Sequence, residues 1–189
     1  GSLAALVAQA GGVLRRPLGL VDGVAAEIPN ASIALLASNP LVRHLALDRL
    51  VARAGDCTTE TIGAKAAREQ FGYTGDGIGV AVIDSGITGW HDDLMRDGVP
   101  GSQRVDQFGD LVNGHGAPYD DYGHGTHVAG IIAGNGYDSG GARAGVAAGS
   151  HLVVLKVLDA SGRGRIGDVI AAFDHVVQHW QEFNIRVVN

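Results

Sequence analysis

Apolar and polar positions follow two different rhythms along this chain. In the first fifty residues the apolar runs are short and interrupted. Leu3 to Ala10 predicts a short helix, and Val13 to Leu20 and Gly23 to Ile28 predict strands, the second sending Val24, Ala26 and Ile28 to one side. Pro29-Asn30 breaks the chain, Ala31 to Ala37 reads as a helix, and Val42 to Leu47 returns as a strand. These elements form a small α+β unit. The polar, glycine-containing stretch RAGDCTT, Arg53 to Thr59, marks a boundary that divides the chain into residues 1–54 and 55–189.

The second rhythm is one of nearly continuous apolar runs. GIGVAVIDSG (Gly77 to Gly86), HLVVLKVL (His151 to Leu158) and IRVVN (Ile185 to Asn189) have the character of strands buried on both faces of a parallel sheet. Between the last two, Val169, Ile170, Phe173, Val176, Val177 and Trp180 recur at three- and four-residue steps. They give one apolar helical face within Gly167 to Phe183. Strand, helix and strand in this order form the parallel crossover unit. The second region is therefore α/β, and a site is expected at the carboxyl ends of its strands.

Composition narrows the classes. Hydrophobic residues make up 46% and charged residues 18% of 189, an ordinary globular balance. The 30 glycines cluster at turns such as Gly75-Asp76-Gly77 and Gly162-Arg163-Gly164, without a collagen-like period. A net charge of −6 and the absence of a sustained Lys/Arg cluster argue against nucleic acid as a partner. No apolar run is long enough to span a bilayer, so no membrane partner is expected. The single Cys57 excludes an internal disulfide and leaves the compartment open. The opening Gly-Ser and short Ala/Leu stretch read as a junction, with which a removed export signal is compatible.

Candidate chemistry lies in two stretches. Asp84 ends the apolar run VAVI, where a carboxylate either caps the following turn or faces a site. In DDYGHGTHVAGIIAGNG, His124 opens a run of small residues that predicts a helix packed tightly on the sheet. A first-turn histidine there can face the strand ends; taken singly, His124 or His127 reads more readily as a satisfied core histidine. A catalytic metal fits poorly. The two histidines are three residues apart, where a zincin helix needs four and a glutamate. A nucleotide site lacks both G-x-G-x-x-G and the P-loop pattern.

VAVIDSGI followed by HGTHVAGIIAG resembles the aspartate and histidine signatures of the subtilisin-like serine proteases, over about Ile62 to Asn189. The resemblance implies an Asp-His-Ser endopeptidase working through an acyl-enzyme, with Asp84 as the orienting acid, His124 as the general base and His127 as a structural neighbour. It implies that Gly162, Arg163 and Gly164 pair with an extended peptide or protein substrate, a flexible surface loop being the alternative, and that Asp120, with Asp121, lines a neighbouring subsite favouring a basic residue, against the stronger alternative of a solvated turn. Cleavage after Ala54 would place Arg53 there. In HDDL, Asp93 matches a carboxylate that often helps bind structural calcium, with Asn135 to Gly141 expected to supply the other oxygens; a plain solvated carboxylate is the alternative. Early residues such as DGVAAEIPNASIALLASNPLVRHLALDR resemble the ferredoxin-like inhibitory propeptide of the family, which acts as an intramolecular inhibitor. A secreted or otherwise extracytoplasmic location follows from the same resemblance.

One departure carries weight. The family's nucleophile lies in a Gly-Thr-Ser-Met-Ala-like motif, absent from these 189 residues, and Asn189 is not the oxyanion asparagine. The expected fold is thus a small α+β ferredoxin-like unit followed by an incomplete, parallel-sheet α/β catalytic region. The chain alone is expected to be inactive and to need the remaining catalytic half as a partner. The rival reading is a pseudoenzyme or inhibitory module that keeps only the peptide-binding edge.

Overall fold

The computed structural model describes residues 2–52, 62–96, 99 and 101–189. Its second region is built on a four-stranded parallel sheet in the order β5-β6-β4-β8, from β4 (Gly79–Asp84), β5 (Val105–Asp110), β6 (His151–Lys156) and β8 (Ile185–Val188). The apolar runs of β4 and β6 are buried on both faces, as their lack of alternation implies. Val80, Val82, Leu152 and Val154 pack on one side with Ala129 and Ala133 of helix α4 (His124–Ala133). Ala81, Val153 and Leu155 face the other side, against Ala172 and Val176 of helix α5 (Ile166–His179). Two helices on opposite faces of one parallel sheet give the α/β architecture.

Helix α5 departs from its expected packing. It contacts the sheet through small Ala172 and Val176, while Phe173, Val177 and Trp180 remain 40–54% exposed. The apolar stripe is wider than the sheet face it covers. The helix also ends at His179 rather than Phe183, and the chain turns through Asn184, at φ 42°, into β8. In the second region the sequence pattern missed β5, whose residues VDQFGD are mostly polar, and helix α3 (Ala64–Phe71), whose sequence AKAAREQF leaves no buried residue.

The first region contains helix α1 (Leu3–Gln9), strands β1 (Val13–Leu18) and β2 (Gly23–Glu27), and the short helix α2 (Ile33–Ala37). Ser2 caps α1 by accepting from the Ala5 N–H at 3.3 Å. Strands β1 and β2 pair antiparallel with a bulge between Leu14 and Arg16. The strand expected over Val42 to Leu47 does not form. Leu45 is 44% and Leu47 78% exposed, and neither edge of the two-stranded sheet accepts the segment. Among the described residues the four-stranded sheet of a ferredoxin-like unit is therefore not assembled.

The later strand β3 (Leu50–Ala52) pairs instead with β7 (Arg163–Arg165) of the second region, antiparallel, with Leu50 opposite Arg165 and Ala52 opposite Arg163. Two polar ties reinforce this docking. Arg16 Nη2 donates to the Leu111 carbonyl at 2.8 Å and lies 2.7 Å from Asp168 Oδ1. Asp48 Oδ1 accepts from the Gly167 N–H at 2.8 Å, at the first turn of α5. The stretch RAGDCTT, with Cys57 and the expected boundary after Ala54, lies outside the described residues.

Candidate active site

Asp84 and His124 come together at the carboxyl end of β4. Asp84 is 6% exposed, and its Oδ1 accepts from the Ser85 N–H at 2.7 Å. His124, the first residue of α4, sets Nδ1 at 2.8 Å and 2.9 Å from the two carboxylate oxygens. A carboxylate is acceptor-only, so Nδ1 carries the proton and donates. That tautomer leaves Nε2 as the basic nitrogen, and an imidazolium formed there would be stabilised by the buried charge beside it. The pair can therefore serve as a general base with its orienting acid.

The approach of the two segments depends on glycine. Gly86 has φ 118°, and a Cβ there would lie 2.1 Å from the Tyr119 carbonyl oxygen; one at Gly125 would lie 2.2 Å from the Gly86 carbonyl oxygen. A side chain at either position would push the start of α4 away from the end of β4.

Asp120 lies in the same constellation, with both oxygens committed. Oδ1 accepts from Ser85 Oγ at 2.8 Å, Gly123 N at 2.8 Å and Tyr122 N at 3.3 Å; Oδ2 accepts from Thr126 N at 2.8 Å and Thr126 Oγ1 at 2.6 Å. Burial pushes its pKa up, but the hydrogen bonds from Thr126, Gly123 and Ser85 outweigh burial and hold it below the usual carboxylate value. Asp120 thus ties the first turn of α4 to the loop after β4. Asp121 pairs with Lys156 Nζ at 2.6 Å.

Gly162 precedes β7, and Arg163 and Gly164 lie on it, paired with β3. Asp159 Oδ1 accepts from Ser161 N at 2.8 Å and Arg163 N at 3.0 Å, and the Asp159 N–H donates to the Arg163 carbonyl at 2.7 Å. Those N–H groups, Arg163 first, lower the Asp159 pKa. Gly162, at φ 70°, lies beneath the Tyr122 ring, which a Cβ would meet at 2.4 Å. With Ala52 opposite Arg163 and Leu50 opposite Arg165, the strand on this edge runs in its carboxyl direction toward Gly162 and Tyr122.

Asp93 stands elsewhere. Its Oδ1 accepts from the Tyr137 N–H at 2.7 Å, and the same N–H reaches Asn135 Oδ1 at 2.8 Å. The oxygens that calcium would need thus meet a donor from the expected loop. Among the described residues, no group of three or more His, Cys, Asp or Glu side chains is placed to hold a metal ion. Asp93 and Asn135 together clamp the Tyr137 N–H. His127 is exposed on α4, apart from the Asp84–His124 contact.

Sequence reasoning missed Ser85, Tyr122 and Lys156. The one available signal was the lysine itself, a charge inside the otherwise apolar run HLVVLKVL.

Comparison with known proteins adds an independent line. The profile of the Subtilase family, Peptidase_S8, matches residues 75–189. "Serine protease AprX" of Bacillus subtilis (strain 168) is 37% identical over 84% of this chain and 35% of its own length. "Subtilisin E" of the same organism is 31% identical over 97% of this chain and 45% of its own length. The chain thus spans between about a third and a half of the relatives it matches. The solved structure of the Clostridium perfringens CspB protease shares the fold, with a TM-score of 0.57 and 24% identity over 67% of this chain and 32% of that one.

Proposed function

We propose, from the premise that this chain belongs to the subtilase family, that the full-length protein is a serine endopeptidase. In it Asp84 orients His124, and His124 takes the proton of a serine contributed by the remaining catalytic half. The serine attacks the peptide carbonyl, and His124 gives its proton to the leaving amine as the acyl-enzyme forms. His124 then takes a proton from the water that attacks the acyl-enzyme and returns it to the departing serine, freeing the acid product. Asp84 fixes the tautomer and stabilises the imidazolium. The Asp84–His124 contact at 2.8 Å is the observation that carries this reading.

The substrate is a peptide or protein that lies in extended form along Gly162, Arg163 and Gly164, in the place β3 takes now. Backbone pairing gives affinity there with little demand on sequence. By the same logic residues 1–54 act as an intramolecular inhibitor, with β3 covering the edge a substrate needs, and residues 55–189 are the amino-terminal part of the catalytic domain. No described helix is long and apolar enough to cross a membrane; the family resemblance supports a location outside the cytoplasm.

The test is hydrolysis of casein and of a chromogenic peptide by the full-length protein after removal of residues 1–54. Wild type is expected to turn over, and Asp84→Asn to lose at least about a thousandfold in kcat with KM little changed. The 189-residue chain alone, which has no Gly-Thr-Ser-Met-Ala-like motif, is expected to hydrolyse nothing. Equal turnover by wild type and Asp84→Asn would refute the proposal, and a processed protein that binds peptide without hydrolysis would support the pseudoenzyme reading.

A further inference from the structure

Lys156 is fully buried at the carboxyl end of β6, in register with Asp84 on β4. By the alternation of the strand it lies on the same face as Leu152 and Val154, the side covered by α4. An apolar side chain would suit that position better, because an ammonium loses its hydration there, and a buried ion pair is weak evidence of a stabilising role. Its surroundings suggest another role.

Each donor of Lys156 Nζ meets an acceptor from a different segment of the site. The Ser85 carbonyl, directly after Asp84, accepts at 2.5 Å; Asp121 Oδ1, three residues before His124, accepts at 2.6 Å; the Leu158 carbonyl accepts at 2.7 Å. Leu158 bridges to Gly164 on the cleft wall. The Tyr119 ring, 4.9 Å from Nζ, closes a further side. The Asp84 carbonyl is itself held by the N–H groups of Val157 at 2.8 Å and Leu158 at 3.2 Å.

We infer that Lys156 is a positioning residue for the Asp84–His124 pair, a single buried cation fastening the strand end that carries the acid to the loop that delivers the base. The inference rests on the protease reading above. A histidine held 2.8 Å from its carboxylate by backbone segments alone would shift with any movement of those segments. Misplacement of about 1 Å at such a site costs orders of magnitude in rate. Lys156 touches no reacting atom. It acts through the backbone on either side of the pair.

The test uses the full-length protein with residues 1–54 removed, as wild type, Lys156→Met and Asp121→Asn. A small serine-directed phosphonylating reagent, which needs the base but no extended cleft, is expected to label Lys156→Met about tenfold more slowly than wild type. For a short peptide substrate kcat falls with it, while KM stays within about twofold. Asp121→Asn keeps both carbonyl contacts and slows labelling about threefold. A folded Lys156→Met labelled at the wild-type rate overturns the inference. So does a raised KM with unchanged kcat, which would confine Lys156 to shaping the cleft wall. If Lys156→Met does not fold, Asp121→Asn decides, and a wild-type rate there overturns the inference.

An unlabelled wild type strikes at the protease reading instead. The downfield proton resonance of His124 Nδ1–H then tests Lys156 separately. Its loss or broadening in the variants supports the positioning role, and an unchanged resonance overturns it.

Discussion

The two regions of this molecule obey the same chemistry and reach different degrees of self-sufficiency. In the second, Ala81, Val82, Leu152, Val153 and Val154 are wholly buried between two helices. Burial of a Val or Leu side chain contributes about 1.5–3 kcal/mol. Among the described residues of the first region, the buried apolar ones are Val7, Ala10, Leu18 and Leu36, while Val13, Leu20, Val21, Leu35 and Leu47 are at least half exposed. A two-stranded sheet with two short helices has too little interior to offset its chain entropy. The first region therefore holds its shape by leaning on the second, through β3 on β7, Arg16 on Asp168 and Asp48 on Gly167. Such dependence is what the inhibitor role proposed for residues 1–54 requires.

The sharpest way to break this comparison is to separate the regions. A peptide of residues 2–52 alone should show no cooperative melting transition by circular dichroism, and should gain structure when the full-length protein lacking residues 1–54 is added. A stable isolated peptide would end the claim of dependence. Next in size, Val153→Ala should cost about 1–2 kcal/mol in a urea titration, from a cavity in a region that relaxes little. Leu35→Ala should cost less than about 0.5 kcal/mol, because Leu35 is 67% exposed. Comparable losses at the two positions would erase the contrast.

The contrast also governs what could be read in advance. Strands β4, β6 and β8 and helix α5 were legible because burial on both faces imposes apolar continuity and a helix against a sheet imposes a 3.6-residue period. The mistaken strand at Val42 to Leu47 had an acceptable local pattern, but it pairs with neither edge of the β1–β2 sheet. Strand β5 went the other way, since its polar residues are held by backbone pairing with β6. At the site, Asp84 and His124 were legible because two short motifs constrain them tightly. Lys156 and Tyr122 were not, because their partners come from segments distant in sequence. The involvement of Asp120 with Thr126 and Ser85 likewise depends on a loop geometry that residue types alone do not specify.

Smaller effects sharpen the account of the interface and the loop. Arg16→Ala should raise the inhibition constant of the residue 2–52 peptide about tenfold, since it removes a partly buried charge contact and a carbonyl partner. An unchanged constant would leave β3 alone as the tie. Asp120 tests the loop through pH. Its folded-state pKa is lowered, so its stabilisation is present above the unfolded carboxylate pKa and is lost as pH falls through the lower folded value. Asp120→Asn should therefore destabilise the protein at neutral pH and flatten the acid limb of its stability profile below about pH 4. Parallel acid limbs for wild type and variant would show that other carboxylates govern acid unfolding.

The central claim, that Asp84 and His124 form the base of a serine protease, has one most direct measurement. The processed full-length protein would be treated with a serine phosphonylating reagent and its mass and residual hydrolysis followed, beside His124→Ala and beside wild type with a zinc chelator. The account predicts one label on one serine, loss of activity in step with labelling, no labelling of His124→Ala on the same timescale, and no effect of the chelator. Activity that survives His124→Ala, or that the chelator abolishes while the reagent leaves it intact, would contradict it.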